Sequence, residues 1–206
     1  MRSAPAGGYN ERMPGSDPVK PAHSGVKLTY EDFVLFPDDG KRHEIIEGEH
    51  YVTPSPNTRH QQILLNLVLL IGGWLEAHAV GRIFFAPYDI VFSDFDVVEP
   101  DLLYLSNERA AAVVTPKHLR GAPELVVEVG SPGTRQRDET IKRRMYERSG
   151  VAEYWFVDPD VDVVRIYRRE GERFGRANEL SREAGDVLTT PLLAGLQMPL
   201  ARIFRE

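Results

Sequence analysis

The chain contains no cysteine among its 206 residues. This absence excludes a disulfide-stabilised scaffold, a zinc site built on thiolates and a cysteine nucleophile. It also fits a reducing compartment, so we expect a cytoplasmic location. The length suits one domain with its own hydrophobic core.

Long apolar runs are missing as well. The most apolar stretch, ILLNLVLLI, is interrupted by Asn66 and is far shorter than the roughly 20 apolar residues that a membrane span needs. The N-terminus lacks the basic-then-apolar order of a secretory signal. We therefore expect no membrane-spanning segment and no membrane partner.

Several common functional motifs are absent too. The sequence has no phosphate-binding loop, no dinucleotide fingerprint, no Gly-x-Ser-x-Gly elbow and no HExxH. The segment GSPGT at 130–134 contains glycine but has neither of the two glycine-loop spacings. Nucleotide-dependent enzymes, serine hydrolases of the elbow type and zinc proteases of this type are thus disfavoured.

Excess positive charge is lacking, since the formal net charge is −6. This balance argues weakly against a protein that coats nucleic acid. It does not exclude a nuclease, because an acidic metal site contributes to the deficit while basic residues can cluster elsewhere.

Composition and periodicity divide the chain into an arm and one domain. Residues 1–25 are rich in Pro, Gly and Ser and predict a disordered arm, and residues 26–206 predict a single domain. Thr29 predicts a helix N-cap, and Glu47-Gly48 predicts a hairpin turn. Other predicted elements are helices at 58–79 and 138–149, strands at 81–85, 88–91, 99–105, 124–129, 153–158 and 161–169, and an apolar tail that packs back. Strand, strand, helix, strand after residue 99 indicates an α/β fold with a mixed sheet flanked by helices.

Two acidic residues fall on neighbouring predicted strands. Glu128 lies within the apolar run LVVEV, where an ionised carboxylate without a partner costs several kcal/mol to bury. Asp101 follows Pro100 at the start of another strand. Two such carboxylates can share a divalent cation. Taken alone, Asp101 could instead cap a turn and Glu128 could pair with an arginine.

The helix at 138–149 carries a polar face. Asp138, Lys142 and Tyr146 are spaced at four residues and therefore lie on one side. The simplest interpretation is a surface ion pair between Asp138 and Lys142 on a solvated helix. The alternative is a helix whose basic residues face phosphate beside the acid pair.

Two further polar residues are candidates for the same site. Glu44 lies in HEIIEGE, where it could supply a third oxygen ligand, although a lone glutamate there usually faces solvent. His60 lies near the start of the helix at 58–79, where a lone histidine usually makes a polar contact at the helix end. His60 could instead reach the site and line the cleft.

These segments together resemble the Uma-type family of restriction-endonuclease-like proteins, a branch of the PD-(D/E)XK nuclease superfamily. The resemblance covers about residues 28–170. Its motifs occur in the family's order: HEIIEGE with Glu44, His60 after a Ser/Pro loop, Glu99-Pro100-Asp101, APELVVEVGSPGT with Glu128, the helix with Asp138, Lys142 and Tyr146, and GVAEYWFVDP. His43 stands where the family often has Tyr, and Gly130 stands where the superfamily has a strand lysine.

The resemblance implies a restriction-endonuclease-like core with an N-terminal hairpin and a Mg²⁺ or Mn²⁺ site. It implies that Asp101, Glu128 and the Val129 carbonyl bind the metal. Lys142 would replace the missing strand lysine, and Glu44 would support the site or bind a second metal. His60, Tyr146 and Asp138 would line the cleft. The implied activity is hydrolysis of phosphodiester bonds in nucleic acid, with DNA as the expected substrate.

Two other functions fit the same residues. A descendant that keeps the fold without catalysis could bind nucleic acid or a protein partner, as the missing strand lysine and acidic balance allow. A metal-dependent hydrolase could act on a different phosphoester. The apolar segments EYWFVDP and the tail also allow a homodimer.

Overall fold

The computed structural model describes residues 25–206, so the predicted arm lies outside the described residues except for Gly25. The helices are α1 (Tyr30–Phe33), α2 (Thr58–Ala77), α3 (Asn107–Val113), α4 (Arg135–Arg137), α5 (Arg143–Arg148) and α6 (Leu200–Ile203). A π-helical turn at Asp138–Lys142 joins α4 to α5, and a 3₁₀ turn spans Pro191–Leu193.

The strands form three sheets. The first has the order β2-β1-β5-β4-β7 and contains β1 (Arg42–Ile46), β2 (Glu49–Thr53), β4 (Ile90–Ser93), β5 (Asp96–Val98) and β7 (Leu119–Arg120). The second has the order β11-β10-β9-β8-β6-β3 and contains β3 (Gly81–Phe85), β6 (Leu102–Ser106), β8 (Leu125–Val129), β9 (Glu153–Asp158), β10 (Val163–Glu170) and β11 (Arg173–Phe174), with β12 (Asn178–Ser181) also paired to β10. The small third sheet pairs β13 (Val187–Leu188) with β14 (Met198–Pro199).

The second sheet is mixed, as the sequence predicted. Strands β8 and β9 are parallel, whereas β6–β8, β3–β6 and β9–β10 are antiparallel. A parallel pair needs a crossover, which the helical segment α4–α5 supplies. The α/β class with helices flanking a mixed sheet is therefore confirmed.

The N-terminal hairpin forms where it was predicted. Strands β1 and β2 pair in antiparallel register from Arg42↔Thr53 to Ile46↔Glu49. The two turn residues have positive φ angles, 56° at Glu47 and 80° at Gly48. Such a two-residue turn matches the twist of the strands, and glycine adopts its second position without steric cost.

Both faces of the second sheet are covered. On one face, α2 and the C-terminal tail pack through residues such as Leu67, Trp155 and Phe204. On the other, the first sheet and α5 pack through Ile46 and Tyr146. This arrangement explains why all five residues of β8 are buried, and it confirms that the tail packs back on the body.

One predicted strand begins later than predicted. The strand expected at 99–105 corresponds to β6, which begins only at Leu102, whereas β5 already ends at Val98. Pro100 between them has no N–H to donate to a sheet. The chain changes from the first sheet to the second at this point, which places Asp101 at the junction between the sheets.

The predicted helix at 138–149 is also different in detail. It begins earlier, at Arg135, and its middle turn is π-helical. It ends near the predicted place, with Gly150 at φ 91° after α5. π-Helical turns are uncommon and often mark functional sites; this one contains both Asp138 and Lys142.

The segments expected to mediate a dimer are internal. Strand β9 lies between β8 and β10 and is buried at all six positions. The tail residues Leu200, Ile203 and Phe204 are fully buried within the same subunit. Neither segment offers an apolar edge to a second copy. No helix within residues 25–206 is long and apolar enough to cross a membrane.

Candidate active site

Asp101 is buried directly before β6 and accepts hydrogen bonds from three donors. Its Oδ2 accepts the Val129 N–H at 2.8 Å and lies 3.0 Å from His60 Nε2. Its Oδ1 accepts a hydrogen bond from Arg42 at 3.1 Å. An ionised carboxylate can only accept, so His60 must carry its proton on Nε2.

These donors keep Asp101 ionised. Burial by itself would raise the pKa of this carboxyl, but the hydrogen bond and charge of His60, the charge of Arg42 and the Val129 N–H outweigh it and lower the pKa. Asp101 is therefore a fixed negative charge at neutral pH. The interpretation as a simple turn cap does not describe these contacts.

Glu128 lies on the next strand, since Leu102 of β6 pairs with Val127 of β8. Its side chain projects to the same face as Val126, toward α5 and the first sheet. Glu128 Oε1 accepts hydrogen bonds from Lys142 Nζ at 2.9 Å and from the Tyr146 hydroxyl at 2.6 Å. Among the described residues, no hydrogen bond involves its Oε2.

Glu128 has the opposite electrostatic balance. Burial raises the pKa of its carboxyl, and the negative charges of Asp101 and Glu44 raise it further. Lys142 and the Tyr146 hydrogen bond lower it but do not compensate fully. A positive charge added near Glu128 would thus favour its ionised form.

Lys142 is buried among three acidic side chains. Its Nζ lies 2.6 Å from Glu44 Oε1, 2.9 Å from Glu128 Oε1 and 3.9 Å from Asp138 Oδ1, and only 2% of the residue is exposed. The interpretation as a surface pair with Asp138 is therefore wrong. Burial would lower the pKa of Lys142, but the negative charges of Glu128 and Glu44 raise it, so the amine is a charged ammonium.

Glu44 is buried in β1 rather than facing solvent. Its Oε1 accepts from Lys142 and from the Glu99 N–H at 3.1 Å. Its Oε2 accepts from Thr53 at 3.1 Å and lies 3.3 Å from Arg137 Nη2. Burial opposes ionisation, but Lys142 and Arg137 lower the pKa of Glu44. Both oxygens therefore have protein donors, and Lys142 is one of them.

Asp138 is buried behind Lys142 in the π-helical turn. Burial and the negative charges of Glu128 and Glu44 raise the pKa of Asp138 to about 8, against the lowering effects of Lys142 and Thr134. The carboxyl is therefore mainly protonated at neutral pH. A protonated acid adds no further negative charge beside Glu128.

The sequence analysis missed two arginines. Arg42 bonds Asp101, and Arg137 contacts Glu44 and donates to Thr53 at 2.8 Å. Arg42 precedes Glu44 by two residues on β1, so the period-two alternation of a strand could have placed both on one face. No comparable local signal singles out Arg137.

Most of the basic residues of 135–148 face protein acids instead of an open surface. Arg135 pairs with Asp158 and Asp160, and Arg148 with Glu47 and Asp96. The other described partners are Glu44 for Arg137 and Glu128 for Lys142. Arg144 and Arg148 are exposed, but a fully solvated helix face is wrong. Arg137 and Lys142 line the cleft, so the phosphate-facing helix stays a prediction.

The predicted site residues converge on one small cleft between the two sheets. The space is about 10 Å³, which is the room that a single water molecule needs. Its walls include Arg42, Thr53, His60, Asp101, Glu128, Val129, Arg137, Asp138 and Lys142. Glu44 and Tyr146 contact the cleft residues directly, through Lys142 and Glu128.

Comparison with known structures first defines the fold. The chain is similar to a protein from Anabaena variabilis titled "putative nuclease belonging to DUF820", with a TM-score of 0.73 and 21% sequence identity. The similarity covers 86% of this chain and 97% of that one. It confirms the predicted α/β fold.

The family follows from the sequence itself. Residues 30–201 match the family described as "Uma2: Putative restriction endonuclease". Because the match spans most of the chain, the protein belongs to this family, and the resemblance drawn from its motifs is confirmed. No curated protein matches the chain.

Proposed function

We propose that this protein is a metal-dependent endonuclease that hydrolyses phosphodiester bonds of DNA. One observation carries the proposal. A buried ammonium, Lys142, lies 2.9 Å from Glu128, and Glu128 shares a small cleft with the ionised Asp101. Membership of the restriction endonuclease family supports the same reaction class.

The donor set fits Mg²⁺ or Mn²⁺. Within residues 25–206, no three acidic or histidine side chains are grouped as a metal site. A cation would therefore use one oxygen each from Asp101 and Glu128, together with the Val129 carbonyl and water. Mg²⁺ prefers oxygen ligands and commonly retains water while binding one or two carboxylates. When bound, such an ion polarises a phosphate oxygen and lowers the pKa of a water molecule.

Lys142 is suited to stabilise charge rather than to remove a proton. A lysine can act as a general base only as the neutral amine, whereas the pKa of Lys142 is raised by its acidic neighbours. As an ammonium it can donate to the attacking water or to a phosphate oxygen that gains negative charge. Glu44 holds this ammonium in place through its 2.6 Å contact.

His60 and Arg42 position Asp101. His60 contacts one oxygen of the carboxylate at 3.0 Å, and Arg42 contacts the other at 3.1 Å. The carboxylate plane is fixed by these two donors and the Val129 N–H. An oriented, ionised ligand is available to a cation without first losing a proton.

A non-catalytic protein that binds nucleic acid or a protein partner is the second candidate. The observation in its favour is that both Asp101 oxygens already have protein donors. In that case the charged cluster would only stabilise the fold.

Cleavage assays with Mg²⁺ and Mn²⁺ on supercoiled DNA, linear DNA, RNA and a small phosphodiester separate these functions. We expect metal-dependent cleavage of DNA that is abolished by chelation. Asp101→Asn, Glu128→Gln and Lys142→Met should each lower turnover by about 100-fold or more. Lys117→Met, at an exposed position, is the control. Absence of cleavage of every substrate favours the non-catalytic protein, and cleavage of only the small phosphodiester favours a different hydrolase.

A further inference from the structure

A second and wider cavity adjoins the cleft on one side of Asp101. Its volume is about 510 Å³, within the range of small-molecule sites. Arg42, His60 and Asp101 belong to the walls of both spaces. A group bound in the wider cavity would therefore lie next to the proposed reaction centre.

An exposed aromatic ring forms part of this cavity. Phe85 ends β3, pairs with Leu102 and is 54% exposed. The next residue, Ala86, donates its N–H to the Asp101 carbonyl at 3.1 Å. The backbone that presents the ring is thus hydrogen-bonded to the residue that carries the acidic ligand. A ring left in solvent at this place has a free face on which another flat ring can stack.

One polar atom in the walls lacks a partner. His60 Nδ1 is buried and makes no hydrogen bond, and His60 lines the cavity. Most buried polar side-chain atoms in proteins are hydrogen-bonded. A ligand with a hydrogen-bonding group at the edge of a flat ring would supply the partner that this atom lacks.

The charge of the walls selects the part of a nucleotide that fits. Asp38, Glu99 and Asp101 line the cavity against Lys41 and Arg42. Lys41 is already paired with Asp39 at 3.1 Å, and Arg42 with Asp101. The walls therefore offer no unpaired lysine or arginine to a phosphate, but they accept an uncharged base.

We propose that this cavity binds one unpaired base, stacked on Phe85, next to the phosphodiester that is cleaved. The substrate would then be single-stranded DNA or DNA with a locally opened pair, because a base inside a duplex has neither face free. This inference rests on the proposed nuclease function and names its substrate class. Gln61 and His60 would form hydrogen bonds with the edge of the base.

Binding can be measured by fluorescence anisotropy in Ca²⁺ with a labelled single-stranded oligothymidylate and a blunt duplex of equal length. We expect tighter binding of the single strand. Phe85→Ala should weaken single-strand binding about tenfold, the usual scale for losing one stacked base, and should change duplex binding by less than about twofold. Phe85→Tyr should retain the affinity. Phe95→Ala removes a ring that is 42% exposed elsewhere and is the matched control.

Equal affinities of wild type and Phe85→Ala for the single strand would overturn the inference, as would equal losses in Phe85→Ala and Phe95→Ala. Circular dichroism checks that Phe85→Ala folds, and Phe85→Tyr gives an independent result if it does not. Failure of the proposed function is distinguishable. Phe85-dependent binding of single strands without cleavage would keep the base cavity and remove the nuclease. Metal-dependent cleavage of duplex DNA that does not depend on Phe85 would support the nuclease and exclude the base cavity.

Discussion

At the scale of the residue, the centre of the molecule is the Lys142 ammonium. It supplies the hydrogen bonds and the positive charge that Glu44 and Glu128 need, because these two carboxylates are almost fully buried and have little contact with water. Removing one partner of such a buried cluster leaves uncompensated charge, which costs more than the pair itself contributes. The same contacts therefore bear on stability and on the proposed chemistry.

Replacing Lys142 with alanine should lower the free energy of unfolding by about 3–5 kcal/mol. The physical reason is the loss of the cation shared by Glu44 and Glu128. Lys117→Ala, at an exposed lysine, should change it by less than about 0.5 kcal/mol. Urea unfolding of the three proteins measures both effects. A cost of only a few tenths of a kcal/mol for Lys142→Ala would contradict the burial described here.

Asp138 should make stability depend on pH. Its pKa is about 8 in the folded protein against an ordinary value of 3.8. Between these values the folded protein holds a proton that the unfolded chain has lost. The contribution of Asp138 is therefore complete below about pH 4 and is lost as pH rises through about 8.

The isosteric variant Asp138→Asn should lack this dependence. Its stability relative to the wild type should increase from pH 5 to pH 8 and then level off. Urea titrations of both proteins at pH 5, 7 and 9 give the difference in their free energies of unfolding. The contributions of other titrating groups are the same in both proteins and largely cancel. Parallel pH curves would show that Asp138 is ionised in the folded protein.

At the scale of the element, the start of α2 fixes the position of His60. Asn57 is the N-cap, and its side chain accepts the His60 N–H at 2.9 Å. The same residue then reaches Asp101 with its ring. One cap thus determines both where the helix begins and where a donor to the acidic pair lies.

Asn57→Ala should lower the free energy of unfolding by about 1 kcal/mol, because one N–H at the helix end loses its acceptor. Asn57→Asp keeps a capping oxygen and should retain most of the stability. Thermal or urea unfolding distinguishes the two variants. Equal losses in both would mean that the amide group, rather than the cap oxygen, matters at this position.

At the scale of the whole molecule, a bound cation should stabilise the fold. The two proposed ligands come from the junction of the two sheets and from β8, in the middle of the core. A cation that binds only the folded protein at 100 times its dissociation constant adds about 2.7 kcal/mol to the free energy of unfolding. Melting in increasing Mn²⁺ should therefore shift to higher temperature in the wild type and in Glu172→Gln, an exposed control, but not in Glu128→Gln.

Cation binding should also release protons. The pKa of Glu128 is raised by burial and nearby acids, and a bound cation would lower it again. Affinity should therefore fall as pH drops. Calorimetric titration with Mn²⁺ in two buffers of different ionisation enthalpy tests this, and identical heats near pH 6 in both buffers would count against it.

Local sequence determined much of this protein. Neighbouring residues determine three of its local features, because turn chemistry and periodicity act over a few positions. These features are the Glu47-Gly48 turn, helix α2 and the end of α5 before Gly150. The acidic Glu128 in an apolar strand was visible for the same reason, and the ordered motifs indicated the family.

Tertiary structure alone decided the environment of those residues. Arg42 contacts Asp101, and Lys142 contacts Glu44, across large separations in sequence. Only the packing of the first sheet and of the helical crossover against the second sheet brings these residues together. The break at Pro100, the π-helical turn and the internal place of β9 depend on that packing as well. Burial and charge balance are properties of all neighbours in space. The direction of each pKa shift, and the position of the Phe85 ring in a cavity that Asp101 also lines, therefore follow from the folded chain and not from any single segment.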